Sequence, residues 1–175
     1  MPCILMKRRR MIGLSVLASV LATSGAAEAP LQTAFLPFGF EDTSQPDPAA
    51  APEATDLSRL GKVKAEVERL LVRSGAYVAV DTTSIARAIA ENDFQGCDGC
   101  AVALARQVGA AAVVTGSVQK VSDLILDMNV VIRDASTGRV IAAGTAGFRG
   151  DNDLAWMRAA AWLVRYRLLA HHAGK

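Results

Sequence analysis

AAVVTGSVQKVSDLILDMNVVIRDASTGRVIAAGTAGF, residues 111–148, decides the fold. Three strand-like stretches, residues 111–121, 124–134 and 139–148, are separated only by Ser122-Asp123 and by Ala135-Ser136-Thr137-Gly138. Connections this short join antiparallel neighbours, so the region reads as a three-stranded meander. In the middle strand Leu124, Leu126, Met128, Val130 and Ile132 share one face, and Asp127, Asn129 and Arg133 lie on the other. One face is therefore packed and the other at least partly wet. The last strand alternates Val140, Ala142, Gly144 and Ala146 with Thr145 and Arg149.

Helical patterns flank the meander. Upstream, residues 56–74 repeat Leu57, Leu60, Val63, Val67, Leu70 and Leu71 at three- and four-residue steps with charges between them, and Gly75 ends the pattern. A short strand over 76–80 follows. Asp81, Thr82 and Thr83 can cap a second helix reaching Asn92, and a third runs over 100–108 to Gly109. Downstream, a last helix begins near Asp151, capped by Asp151 or Asn152, and carries Trp156 and Trp162 on different faces. Residues 33–40 read as an opening strand with Pro37 inside it, which demands a bulge or an unpaired position there. Residues 41–55, with Pro46, Pro48 and Pro52 among alanines and acids, read as a flexible loop. The expected order is β-α-β-α-α-β-β-β-α: an α/β chain of the α+β kind, one domain over 28–175. Its mixed sheet ends in the antiparallel meander, with helices mainly on one face.

The first 27 residues have the layout of a secretory signal peptide. Lys7, Arg8, Arg9 and Arg10 precede an uncharged apolar run over 11–22, then small residues to Ala27. That run is too short to span a bilayer, which needs about 20 residues, so no membrane span is read. Cys3 precedes the run and does not stand where a lipid-carrying cysteine would. The expected product is a periplasmic protein starting at Ala27 or Glu28. Without the four leader cations, 15 of the chain's 19 Lys and Arg remain against 17 acids, a net charge near −2. No basic cluster then survives to neutralise phosphates, which argues against a nucleic-acid partner.

Cys97-Asp98-Gly99-Cys100 is the one stretch with the makings of redox chemistry. In an oxidising compartment it reads as a structural disulfide. The alternative is a redox pair, with Cys97 near a helix N-terminus that favours thiolate. Ala101 stands where haem attachment requires His. His171 and His172 lie on the tail and do not complete a zinc set. Asp151, Asn152 and Asp153 suit helix capping better than a calcium loop. Gly116, Gly144 and Gly147 inside strands signal close backbone approach or bulges. No cofactor, metal site or catalytic set is read, and Asp127, Asn129 and Arg133 are the candidate partner-binding residues.

Gly109-Ala110-Ala111, Val113-Val114-Thr115-Gly116-Ser117-Val118 and Asp134-Ala135-Ser136-Thr137-Gly138-Arg139-Val140, with the opening Leu36-Pro37-Phe38, resemble the TolB amino-terminal domain and the related periplasmic domain of curli-secretion channels. Ala111 departs from the Asp usual in that pattern. More narrowly, Cys97, Cys100, Leu124-Ile125-Leu126 and Gly150-Asp151-Asn152-Asp153-Leu154-Ala155-Trp156 are similar to a family of small exported proteobacterial proteins of unknown function. The resemblance covers roughly residues 31–170. It implies a supporting role beside a periplasmic dehydrogenase system. The expectation is a non-catalytic periplasmic binding or assembly accessory protein with a protein partner and an oligomeric state left open. A thiol–disulfide redox protein using Cys97 and Cys100, or a small-ligand carrier, are the alternatives.

Overall fold

The computed structural model describes residues 29–45, 51–92, 97 and 99–170. The expected leader, the middle of the proline-rich loop, Asp98, and His171 and His172 lie outside the described residues. The chain forms β1 (Leu31–Phe35), β2 (Gly39–Asp42), α1 (Ala54–Arg73), β3 (Tyr77–Ala79), a 3₁₀ turn (Thr83–Ile85), α2 (Ala86–Glu91) and α3 (Cys100–Gln107). The meander follows as β4 (Ala112–Ser122), β5 (Ile125–Asp134) and β6 (Val140–Arg149). It leads to α4 (Asp153–Leu163), which ends in a π-helical turn (Val164–Leu168).

The single expected opening strand is two. Leu36-Pro37-Phe38 separates β1 from β2, and both pair parallel to β4, β1 through Thr33–Ala112 and β2 through Phe40–Val118. Proline has no N–H to give a ladder, so the strand stops and restarts beyond it. The sheet runs β3-β1-β4-β5-β6, with β2 alongside the far half of β4. The meander is antiparallel as expected, with an irregularity between Lys120 and Ser122.

Helix α1 follows from its spacing: Leu60, Val63, Val67 and Leu71 are buried at three- and four-residue steps, while Leu57 stays exposed. Gly75 ends it at φ +79°, a backbone shape that only glycine adopts without strain. The even-numbered face of the meander, with Val114, Val118, Leu126, Met128, Val130, Ile132, Ala142 and Ala146, packs on α1, on α4 and on the turn after α4. Trp156, Leu163 and Leu168 fill that layer from above. Each buried Val, Leu, Ile or Met of this layer contributes about 1.5–3 kcal/mol by leaving water, so this layer carries most of the core. A smaller layer on the opposite face packs α3, through Ala101, Val102 and Ala105, on Ala34, Leu36 and Val113. The two longer helices thus share one face, and the short α2 and α3 cover part of the other.

Candidate functional site

Odd-numbered positions of β4 and β5 face away from α1 and α4. Register sets Val113 opposite Arg133, Thr115 opposite Val131, and Ser117 opposite Asn129. Val113 is covered by α3, but the cover does not extend along the strands. A cleft of about 490 Å³ opens there, with Thr115, Ser117, Asn129, Val131 and Arg133 as its floor. Pro37, Phe38 and Gly39 form one wall; Ala86, Ile89, Ala90 and Asn92 form another; Cys97 and Ala101 close the end. The proline break makes the first wall. Phe38 sits against Gly116 so closely that a Cβ there would lie 2.5 Å from the ring.

The floor is polar and the walls largely apolar. Thr145 Oγ1 donates to Asn129 Oδ1 at 2.6 Å, which orients that side chain. Arg133 Nη1 reaches the carbonyl of Gly138 at 3.4 Å, tying the guanidinium toward the β5–β6 turn. The volume falls in the range of small-molecule and peptide-side-chain pockets. Arg133 supplies a cation, Thr115 and Ser117 supply hydroxyls, and Asn129 and Asn92 supply amides.

Asn129 and Arg133, singled out from the sequence, therefore meet in one cleft. Asp127 lies further along the same face, opposite Gln119 and Gly147, outside the cleft lining. Cys97 and Cys100 are joined, with Cα atoms 5.5 Å apart, and Cys97 forms part of the wall. Sequence reasoning missed Thr115, Ser117, Asn92 and Phe38. The first two were within reach: the short Ser122-Asp123 turn fixes the β4–β5 register and so places Ser117 near Asn129.

A second polar cluster explains the Gly-Asp-Asn-Asp stretch. Asp151 Oδ1 accepts from Trp156 Nε1 at 3.1 Å and from Arg59 Nη1 at 2.7 Å; its Oδ2 accepts from Lys120 Nζ at 2.9 Å. Asn152 is the helix cap, accepting from the Ala155 N–H at 3.0 Å. Asp153 accepts from Arg59 at 3.0 Å and from Lys62 at 2.6 Å. Asp56 is buried beside Arg59, and burial, then the neighbouring Asp151 charge, pushes its carboxyl above the ordinary value. Hydrogen bonds to Asp151 and Asp123 push the Lys120 ammonium up. The cluster clamps α1, β4 and α4 together around the Trp156 indole. Its carboxylates are taken up by cations of the same chain, in keeping with a structural role.

Residues 31–168 match a family described as "Protein of unknown function (DUF2380)". The chain belongs to this DUF3280 family. No curated protein matches the sequence. Among solved structures, the DUF3280 chain is similar to lipoprotein GNA1162 from Neisseria meningitidis, at 15% identity and TM-score 0.51, over 83% of this chain and 100% of that one. It is also similar to the PelC dodecamer from Paraburkholderia phytofirmans, at 14% identity and TM-score 0.49, over 79% and 88%. The LpoB C-terminal domain from Escherichia coli matches at 16% identity and TM-score 0.45, over 73% and 87%. At such identities the likeness to GNA1162 is one of fold. The membership of a family of unknown function expected from the sequence is thereby established; these structural relatives are GNA1162, PelC and LpoB rather than TolB. No helix among the described residues is long and apolar enough to cross a membrane.

Proposed function

We propose that this chain is an exported, non-catalytic accessory protein that holds a segment of a partner protein in the cleft between the β4–β5 face and α2–α3. The observation that carries this reading is the cleft itself. Its floor offers Thr115, Ser117, Asn129 and Arg133 for hydrogen bonding, and its walls offer Pro37, Ala86 and Ile89 for apolar contact. Arg133 would take a carboxylate, a side chain or a chain end, and the hydroxyls would take backbone groups. The TolB-like resemblance and the likeness to a Neisseria lipoprotein fit an exported location. The Cys97–Cys100 bond fits a structural part: it closes a very short loop, worth about 2 kcal/mol, and keeps the end wall in place.

The test is a photo-crosslinking residue at Ser117 in the exported protein, with Arg133→Glu and Asp127→Lys made in parallel. Capture of a periplasmic protein through position 117 is expected, at least tenfold weaker in Arg133→Glu and unchanged in Asp127→Lys. Dehydrogenase components are the first partners to look for. Capture that survives Arg133→Glu but is lost on deleting residues 45–51 would move the site from the cleft to the loop. A second reading, a carrier of a small anionic molecule, is favoured by the volume of the cleft and its single cation. Native mass spectrometry of freshly purified protein decides it by showing or lacking a retained ligand. The redox alternative at Cys97 requires a reduction potential well above the roughly −300 mV below which structural disulfides lie.

A further inference from the structure

Residues 154–175 contain no Asp or Glu, yet they include Arg158, Arg165, Arg167 and Lys175. The core needs only one stripe of the last helix: Trp156, Ala160, Leu163, Val164 and Leu168 are buried. The opposite stripe is Leu154, Arg158, Trp162 and Tyr166. Its three large apolar members are left open, at 59%, 43% and 62% exposure. Residues four apart on a helix are surface neighbours. Trp162 and Tyr166 touch, with ring centroids 5.9 Å apart, and the Arg167 guanidinium lies 5.6 Å over the Trp162 ring. Arg149, at the end of β6, joins Arg158, Trp162 and Arg167 around an open groove of about 620 Å³ whose lining contains no carboxylate.

These cations are available. Among the described residues no carboxylate pairs with Arg149, Arg158 or Arg167. Glu66 lies near Arg165, but Arg69 already holds it through both carboxylate oxygens, at 2.7 and 2.6 Å. Exposed Trp and Tyr beside Arg, on a helix whose other face is anchored in a core, is the chemistry of a bilayer interface. The rings settle at headgroup depth and the guanidinium groups meet phosphates. An acidic protein would answer the arginines, but it would not need an aliphatic and aromatic row aligned with them along a convex helix.

We propose that the outer stripe of α4 is a peripheral docking face for an anionic phospholipid surface, with Trp162 and Tyr166 at headgroup depth and Arg149, Arg158 and Arg167 on the phosphates. This face is separate from the cleft, so the two readings stand or fall independently. The experiment is co-sedimentation of the purified exported chain with vesicles of phosphatidylcholine alone or mixed with phosphatidylglycerol. Binding is expected to the mixed vesicles only, and to weaken as salt is raised. Trp156 is fully buried, so a blue shift of tryptophan emission on binding reports Trp162. Arg149→Gln and Arg158→Gln should each lower the partition coefficient roughly fivefold at an unchanged melting temperature. Trp162→Ala should abolish the emission shift; if that variant does not fold, the arginine variants and the parent's emission still decide. Equal binding to neutral vesicles, no sedimentation with mixed ones, or binding undiminished in both arginine variants would overturn the proposal. Retention of poly-glutamate without vesicle binding would overturn it in favour of an acidic protein partner.

Discussion

Asp151 receives donors from three places in the fold: Arg59 on α1, Lys120 on β4 and the indole of Trp156 on α4. All three ionic partners are mostly shielded, with side-chain exposures of 16% for Asp151, 18% for Arg59 and 12% for Lys120. Removing the carboxylate leaves the Trp156 N–H without its acceptor and takes one acceptor from each of two shielded cations, while Arg59 keeps Asp56 and Asp153 and Lys120 keeps Asp123. Asp151→Ala is therefore expected to lower unfolding free energy by roughly 1–3 kcal/mol, read from urea denaturation. Asp153→Ala should leave the urea midpoint nearly unmoved, because Asp153 is half exposed and its pairs are screened by water. The sequence disclosed only part of this arrangement. A cap at Asn152 follows from local pattern, because its acceptor and donor are three residues apart. The role of Asp151 does not, because Arg59 and Lys120 reach it from elements far away in the chain.

At the scale of elements, the meander was legible because alternation and turn length are local properties that determine pairing. At Gly116, Gly144 and Gly147 it is side chains rather than backbone that come close: a Cβ would lie 2.5 Å from the Phe38 ring, 2.6 Å from Arg167 and 3.1 Å from Asp127. The interruption at Pro37 was legible as a disturbance but not as two strands. Whether the chain resumes pairing depends on β4 continuing beside it, which no local pattern records. The Phe38–Gly116 contact gives a test of that junction. Gly116→Ala is expected to destabilise by about 1–3 kcal/mol through overpacking. The loss should be partly recovered in Gly116→Ala with Phe38→Leu, since the smaller side chain vacates the space. A double-mutant cycle on thermal or urea unfolding measures the coupling; additive losses would place the contact elsewhere. The cleft was half legible for a related reason. Asn129 and Arg133 stood out on their own strand, whereas the α2–α3 wall depends on how those short helices fold back.

For the molecule as a whole, acid is the vulnerable direction. The Ser136 hydroxyl, then the Thr137 N–H and hydroxyl, hold Asp134 down at about 2 against an ordinary 3.8. Asp81 is lowered by the Thr83 N–H and hydroxyl, Glu66 by the Arg69 guanidinium, and Asp153 by Lys62 and then Arg59. A carboxylate with a depressed folded-state pKa adds stability above its unfolded value and loses it as pH falls through the folded one. Asp56 works the other way: burial raises it, so taking up a proton favours the folded state. The depressed groups outnumber it. The melting temperature is expected to hold near neutrality and to fall between pH 3.8 and about 2. Asp134→Asn should lower the neutral-pH melting temperature and flatten the acid limb, so that the two curves converge toward pH 2, where the native side chain is itself neutralised. Parallel curves down to that pH would remove Asp134 from the account.

The position of β4 has a consequence in time. Both opening strands depend on it, and β1 with β3 alone would be a two-stranded ribbon, too small to persist. A chain delivered amino-terminus first, from a ribosome or through a translocation pore, thus emerges with its first segments waiting. No lasting sheet can set until the meander has followed, and the leading part stays slack enough to be threaded until then.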